Sequence, residues 1–394
     1  MIMMRHIPPG SALLAGVLLT MAAPEIAAAS PKIKVGGYIR LDAQYEDGNT
    51  RDFPYPAIAD TPFEDDEERS HGQFIIDARA SRIRVDATDE LVGVKVLGRI
   101  EADFYNGEAS ALTMNSRNFR LRHAFIQAEH VTGLFILAGQ YDSLLGNSEV
   151  AQPTLVDFSG PAGQIFARQP QLRFGYIHKF PAEIGTLRFD GSMEKNSTDD
   201  LGSETIRESQ GEGQTSPLYT VKIAWRGKPL NLEAGVAAAK SDVTLEGGRR
   251  IGTSVWAAQT SADFLLGPVS VFGHYHHNDG LGRLAYGDFR SIVLAGNKLE
   301  NITTNAFYAG ASWKIIDTTS VTGMFGWQRA DELHEGGFTE DQLRQHRSVH
   351  VNVIHKFWQN WQVGLEYRRF EVEAFNNRVG HVNGALGAVW YFLK

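Results

Sequence analysis

The chain has 394 residues, with 46 acidic against 38 basic side chains for a net charge of −8, and no cysteine. Lack of cysteine excludes disulfide frameworks and thiolate zinc sites, and basic residues spread over many segments, with no basic arm or helix, give no support to a nucleic-acid partner. Mean hydropathy is −0.24, and no run beyond the N terminus approaches the roughly 18 apolar residues of a spanning helix, which leaves a soluble exported chain or a β-barrel.

At the N terminus, Arg5 and His6 precede an apolar run from Ala12 to Ala23, followed by Ala27-Ala28-Ala29. This is the layout of a secretory signal peptide. Cleavage is expected after Ala29, because a cut after Ser30 would leave Pro31 at the new first position. Residues 30–394 are then the mature chain, read as a single domain.

From Lys32 to Glu46, Ile33, Val35, Ile39, Leu41, Ala43 and Tyr45 alternate with Lys34, Tyr38, Arg40, Asp42, Gln44 and Glu46. Period-2 alternation of this length predicts a strand with one apolar and one charged face. A polar stretch from Asp47 to Ser70 leads to a strand over Gln73–Thr88, a tight turn at Asp89-Glu90, and a third strand over Val92–Tyr105. In the second strand the apolar set moves from even to odd positions around Ala80, so a bulge is expected near Ser81. A second loop, Asn106–Ser116, precedes a strand over Arg117–Glu129, whose phase is blurred where Ala124 and Ile126 share a face with Arg120 and Arg122. The fifth strand is Leu134–Tyr141, and the connection Asp142–Gln169 is punctuated by Gly and Pro. Further strands are read near 171–180, 186–195, 217–225, 230–239, 253–264, 269–277, 302–313, 320–328, 347–357, 362–371 and 381–392.

The expected fold is all-β, a transmembrane barrel of sixteen antiparallel strands with short periplasmic turns and long external loops. Residues 30–394 allow about 23 residues for each strand and its connection, enough for a strand of ~10. Aromatic residues at strand ends, among them Phe180, Trp225, Phe264, Trp313, Phe357, Trp358, Trp361, Trp390 and Phe392, are expected in interfacial girdles. A closed barrel satisfies every backbone group without disulfides.

Several motifs resemble the DcaP-like porins of bacterial outer membranes: ARASRIRVDA from Ala78, FRLRHAF from Phe119, AGQ from Ala138, and DFSGPAGQIFARQPQLRF from Asp157. They lie in the N-terminal half, and the C-terminal half agrees in strand rhythm. The resemblance implies a homotrimer of sixteen-stranded barrels in the outer membrane of a Gram-negative bacterium, passing small, often anionic solutes. Two departures are visible. Family members often carry an N-terminal helical extension, whereas the first strand here begins close to the expected cleavage site. The terminal strand has Gly387, Trp390 and Phe392 but ends on Leu393-Lys394 and not on an aromatic residue.

Placing charges on the lipid side would cost about 2–4 kcal/mol each for Arg or Lys at the midplane, which decides the phase of each strand. The lumen is then lined by Arg40 and Asp42, by Arg82, Arg84 and Asp86, by Lys95, Arg99, Glu101 and Asp103, and by Arg120 and Arg122. Six arginines on adjacent strands form a basic wall that attracts anions, and their planar donor forks suit carboxylates. Pairing of the same arginines with Asp42, Asp86, Glu101 and Asp103 would instead staple the wall. The connection Asp142–Gln169 is the third external loop. It is expected to fold into the lumen on Leu144, Leu145, Val150, Leu155, Val156 and Phe158, turned by Gly160, Pro161 and Gly163, bringing Asp157 and Arg168 to the constriction. A cover over the barrel mouth is the other possibility.

His274 and His276 share a strand face beside His277, but without a third ligand they read as a polar pore feature and not a metal site. No cofactor motif and no G-x-S-x-G elbow is present. The acidic run Glu64–Glu68 reads as a solvated loop, with divalent-cation bridging to lipopolysaccharide as its alternative use. A passive porin biased toward anions such as carboxylates is the expectation. A non-selective or sugar-preferring porin, an outer-membrane enzyme and a structural or adhesive barrel are the competing readings.

Overall fold

A computed structural model describes residues 31–48, 50, 58–110, 116–146, 150, 152–181, 184–196, 214–245, 248–285, 289–331 and 342–393. The expected signal peptide, residues 1–29, lies outside them. The alternating segments form β1 (Lys32–Glu46), β2 in two pieces (Gln73–Asp77 and Arg82–Leu91), β3 (Val94–Ser110), β4 (Ser116–His130), β5 (Leu134–Asp142), β6 (Arg168–Lys179), β7 (Thr186–Glu194) and β8 (Leu218–Arg226). Then follow β9 (Leu230–Thr244), β10 (Arg250–Leu266), β11 (Val269–Asp279), β12 (Thr303–Ile316), β13 (Thr319–Ala330), β14 (Leu343–Phe357), β15 (Trp361–Ala374) and β16 (Val379–Leu393). Each strand pairs antiparallel with its neighbour, and β16 returns to β1 through ten residue pairs from Gly37 opposite Leu393 to Glu46 opposite Gly384. The sheet has 17 segments; with the two pieces of β2 taken as one, it is a closed sixteen-stranded barrel.

Closure assigns the two faces of every strand. Along β1, Ile33, Val35, Ile39, Leu41 and Tyr45 are all more than half exposed, while Arg40, Asp42, Gln44 and Glu46 are buried. That inversion, apolar out and charged in, is the pattern a lipid-facing wall requires. The expected bulge in β2 is present. Asp77 pairs with Asp42 and Arg82 with Tyr38, so five steps along β2 match four along β1. The surplus residue reverses the phase, placing Phe74 and Ile76 outside before the break and Ile83 and Val85 outside after it. Ser81 secures the break, its hydroxyl accepting from the Arg40 amide at 3.0 Å.

A second bulge explains the blurred phase of β4. Glu101 pairs with His123 but Ala102 pairs with Leu121, so Arg122 is the extra residue. Arg122 and His123 are therefore both buried, and Ile126 beyond them turns outward. The tight turn after β2 lies at Val92-Gly93 and not at Asp89-Glu90, since β2 continues to Leu91. Both turn residues have positive φ, 28° and 79°, the geometry that matches strand twist in two-residue hairpins. Valine rarely adopts it, which is why the sequence pattern misplaced the turn. The second loop is also shorter than expected, because β3 and β4 extend to Ser110 and from Ser116. Between β11 and β12 an unexpected hairpin, Ile292–Ala295 with Lys298–Asn301, puts Ile292 and Leu299 beside Leu145, Leu281 and Leu284 in the largest apolar cluster among the described residues.

Trp225, Phe264, Trp313, Phe357, Trp358 and Trp361 lie at the short-turn ends of their strands, with Trp313 and Trp358 52% and 80% exposed. Trp390 and Phe392 depart from the girdle expectation. They sit on the even, inward-facing positions of β16. Trp390 is buried under the Arg40 guanidinium at 4.6 Å, and Phe392 meets Tyr38 edge-on at 5.9 Å.

Candidate functional site

Adjacent strands bring the six arginines to one wall. Arg82 stands opposite Asp103, Arg84 opposite Glu101, and Arg99 opposite Asp86 across β2 and β3, while Arg120 stands opposite Asp103 across β3 and β4. Each makes an ion pair. Arg40 meets Asp42 at 2.6 Å, Arg84 meets Asp86 at 3.2 Å, and Arg99 meets Asp86 at 2.7 Å. Arg82 and Arg122 reach Glu101 at 3.4 and 3.0 Å, and Arg120 and Arg122 reach Asp103 at 2.7 and 3.1 Å. The four carboxylates are those anticipated as staples. Six guanidinium groups on four carboxylates still leave the wall net positive, so stapling and a basic field coexist. Lys95 is not part of this cluster. It stands opposite Glu90 and Glu129 close to the short-turn rim.

The third connection, 143–167, bonds to inward side chains from β7 round to β1. The Leu144 amide donates to Glu194 at 2.8 Å, Lys222 donates to the Gly146 carbonyl at 3.3 Å, and the Ala162 amide donates to Ser348 Oγ at 2.8 Å. Asn352 donates to the Thr154 carbonyl at 2.9 Å and Arg40 to the Val156 carbonyl at 2.6 Å. Glu366 accepts from the Val156 and Asp157 amides at 2.6 and 3.2 Å. Apolar contacts follow the same path, with Leu145 among Leu218, Val255 and Leu281, and Val150 among Phe272, Tyr308 and Met324.

At the far side of this path Phe158 lies against the arginine wall. Its ring stacks on Tyr105 at 5.0 Å and 9°, and the guanidinium carbons of Arg82, Arg120 and Arg122 lie 5.9, 5.9 and 5.4 Å from its centroid. Arg120 also covers Tyr105 at 4.8 Å. Cations over ring faces are attracted by the ring quadrupole, which gives the arginine side chains a fixed platform without consuming their charge.

The barrel agrees with known proteins. Residues 19–201, slightly under half of the chain, match the DcaP outer membrane protein family. Over that segment the chain resembles the DcaP outer membrane proteins, and the whole folds as an outer-membrane β-barrel. It is similar to the outer membrane channel DcaP of Acinetobacter baumannii at 20% identity and a TM-score of 0.75, covering 92% of this chain and 98% of that one. An anion-selective porin from Comamonas acidovorans aligns at 11% identity and a TM-score of 0.57, over 92% of this chain and all of that one (100%). The outer membrane protein OmpT of Vibrio cholerae aligns at 13% identity and a TM-score of 0.56, over 94% and 100%. No curated protein matches the chain.

In this DcaP-like barrel the two loop residues singled out from sequence separate. Arg168 opens β6 beside the arginine wall, opposite Asp142, with its guanidinium 4.9 Å above the Phe166 ring. Asp157 instead accepts from Arg368 at 2.6 Å on the wall of β15, and Arg368 also bonds Glu46 of β1. Both partners of Asp157 there, Arg368 and Glu366, escaped the sequence reading. Their alternation with Leu365 and Tyr367 marks them as inward, but nothing local links them to a loop more than two hundred residues earlier.

Asp157, His350 and Glu366 offer ligand atoms within 4.8 Å of one another. The Glu366 oxygens already accept from His350 and from the loop amides, and both Asp157 oxygens are bonded, to Ser159 and Arg368. With Arg368 supplying the positive charge, the trio reads as a latch and not a metal site. His274 bonds Ser261 at 2.9 Å and His276 at 3.3 Å, while His277 bonds Asn305 at 2.9 Å. The first two histidines thus belong to the buried inner wall, as a polar feature.

The acidic run of the first loop is engaged with the last. Arg378 holds Asp65 and Asp66, each at 2.7 Å, and His381 meets Glu64 at 3.3 Å. The Arg378 hydrogen bonds hold the Asp65 carboxyl below the usual carboxylate range.

Proposed function

We propose that this chain forms a passive channel of the outer membrane for small hydrophilic solutes, with a bias toward anions such as carboxylates. The observation that carries the reading is the excess of arginine over carboxylate around Phe158, where Arg82, Arg120 and Arg122 converge on this ring of the third connection. A basic wall beside low-dielectric protein concentrates anions and steers them inward, and guanidinium forks suit carboxylates. Dispersed contacts let the solute leave again, so no covalent step and no cofactor enter the cycle. The solved relative from Comamonas acidovorans described as anion-selective supports the same direction.

In this reading residues 1–29 direct export and are removed, and residues 30–394 make one barrel, set in lipid and lipopolysaccharide as a homotrimer. A trimer form of the similar Vibrio cholerae protein is in keeping with that assembly. The pore is lined by Arg40, Asp42, Arg82, Arg84, Lys95, Arg99, Glu101, Asp103, Arg120 and Arg122, with Asp157 and Arg168 on the loop side. The deciding experiment is the reversal potential of the purified protein in a planar bilayer under a KCl gradient. Anion-selective steps are expected, in threes for a trimer. Cation selectivity would keep the channel and overturn the role of the arginines, and an absence of conductance would favour an enzyme or adhesive barrel.

A further inference from the structure

Below the arginine wall, at the short-turn end of the barrel, lies a second cationic chamber. Its volume is about 550 Å³, and Lys34, Arg82, Arg84 and Lys356 line it with Tyr38 and Phe392, against one carboxylate, Glu101. The charged members sit on the inward set of β1, β2, β3 and β14, and the turn residues Trp358 and Gln359 with Trp361 complete the chamber at the short-turn rim.

Two features distinguish it from stapled wall. Lys34 and Lys356 make no ion pair among the described residues, unlike every arginine of the wall. Arg82, whose Nε is buried without a hydrogen-bond acceptor, belongs to both regions, its guanidinium lying 5.9 Å from Phe158 and 5.3 Å from Tyr38. Arg84 fits beside it because Gly36, its partner across the strands, has no side chain; a Cβ there would lie 3.0 Å from the Arg84 guanidinium.

We infer that this chamber is a second anion-binding site, for a small oxyanion carrying more than one negative charge, which receives its solute from the Phe158 region through Arg82. The inference rests on the proposed channel reading and extends it. Four cations around one cavity favour a divalent over a monovalent anion, because the Coulomb attraction scales with the ligand charge. The surrounding protein reduces screening relative to bulk salt. Two sites in series also let an arriving anion weaken the hold on its predecessor.

The test is calorimetric titration of inorganic phosphate into the detergent-solubilised full channel at low ionic strength. Three proteins are compared: the parent, the K34Q/K356Q double variant and K314Q, a lysine paired with Asp317 at the short turn between β12 and β13 and away from the chamber. The two chamber lysines take part in no ion pair among the described residues, so their replacement breaks none. Phosphate is expected to bind the parent, to bind K34Q/K356Q about tenfold more weakly, and to bind K314Q within about twofold of the parent. No phosphate binding by the parent, equal binding by K34Q/K356Q, or an equal loss in K314Q overturns the inference. The reversal potential of the parent reads the channel proposal separately: an anion-selective channel without the phosphate site sinks the chamber alone.

Discussion

Replacing Arg122 isolates the electrostatic claim, because this guanidinium is buried, pairs with two carboxylates and lies 5.4 Å from the Phe158 ring. In R122A, Glu101 retains Arg82 and Asp103 retains Arg120, so the wall loses one net positive charge while both acids keep a partner. For a permeant ion about 6 Å from the lost charge, 332/(80·6) gives ~0.7 kcal/mol in water-like surroundings. An anion loses that much and a cation gains it, so the chloride-to-potassium permeability ratio should fall about tenfold at low salt. At 0.1 M salt the Debye length of ~10 Å reduces the effect to about fourfold. The assay is the reversal potential under a KCl gradient, with R122Q as a second variant of closer size and heat-modified gel migration as the check on folding. A well-folded R122A whose reversal potential equals that of the parent at low salt refutes the argument that the arginine excess sets selectivity.

Other parts of the molecule give independent expectations. Arg368→Ala leaves Glu46 and Asp157 without their buried counter-ion, a loss of about 3–5 kcal/mol. The segment 152–167 should then become protease-sensitive and the open channel noisier, and unchanged digestion would show that the latch does not hold the loop. Gly37→Ala places a Cβ 2.1 Å from the Arg82 carbonyl at a φ of +118°, so the β1–β2 bulge should be destabilised by more than ~1–3 kcal/mol; urea unfolding in detergent measures it, and a parental midpoint contradicts the clash. The Asp65–Arg378 clasp between first and last loops carries a pH dependence of definite sign. Because Arg378 lowers the folded-state Asp65 pKa, the clasp is fully present above the ordinary aspartate range and is lost as pH falls through that lowered value. Hydrogen exchange over residues 58–72 should therefore quicken in acid, beyond the intrinsic rate change, in the parent and not in D65N.

How much of this was legible in one dimension depended on the range of each interaction. The bilayer tests each residue separately, since a charge facing hydrocarbon is penalised wherever the strand pairs. Alternation alone therefore determined the sixteen strands, the face of most of them, the bulge near Ser81 and the arrival of Arg40, Arg82, Arg84, Arg99, Arg120 and Arg122 on one wall, while the phase of β4 was fixed only by the second bulge at Arg122. Where local chemistry was ambiguous the reading slipped: the Val92-Gly93 turn lacks a usual turn residue at its first position, and Trp390 and Phe392 look like girdle residues although strand phase sends them inward.

Tertiary structure decided which loop and wall residues meet. That Phe158 meets Arg82, Arg120 and Arg122, that Asp157 meets Arg368, and that Lys34 and Lys356 share one chamber depends on closure of β16 onto β1 and on the path of a loop with no repeating pattern. Contacts across a lumen join residues hundreds of positions apart, and no periodicity in the chain encodes them.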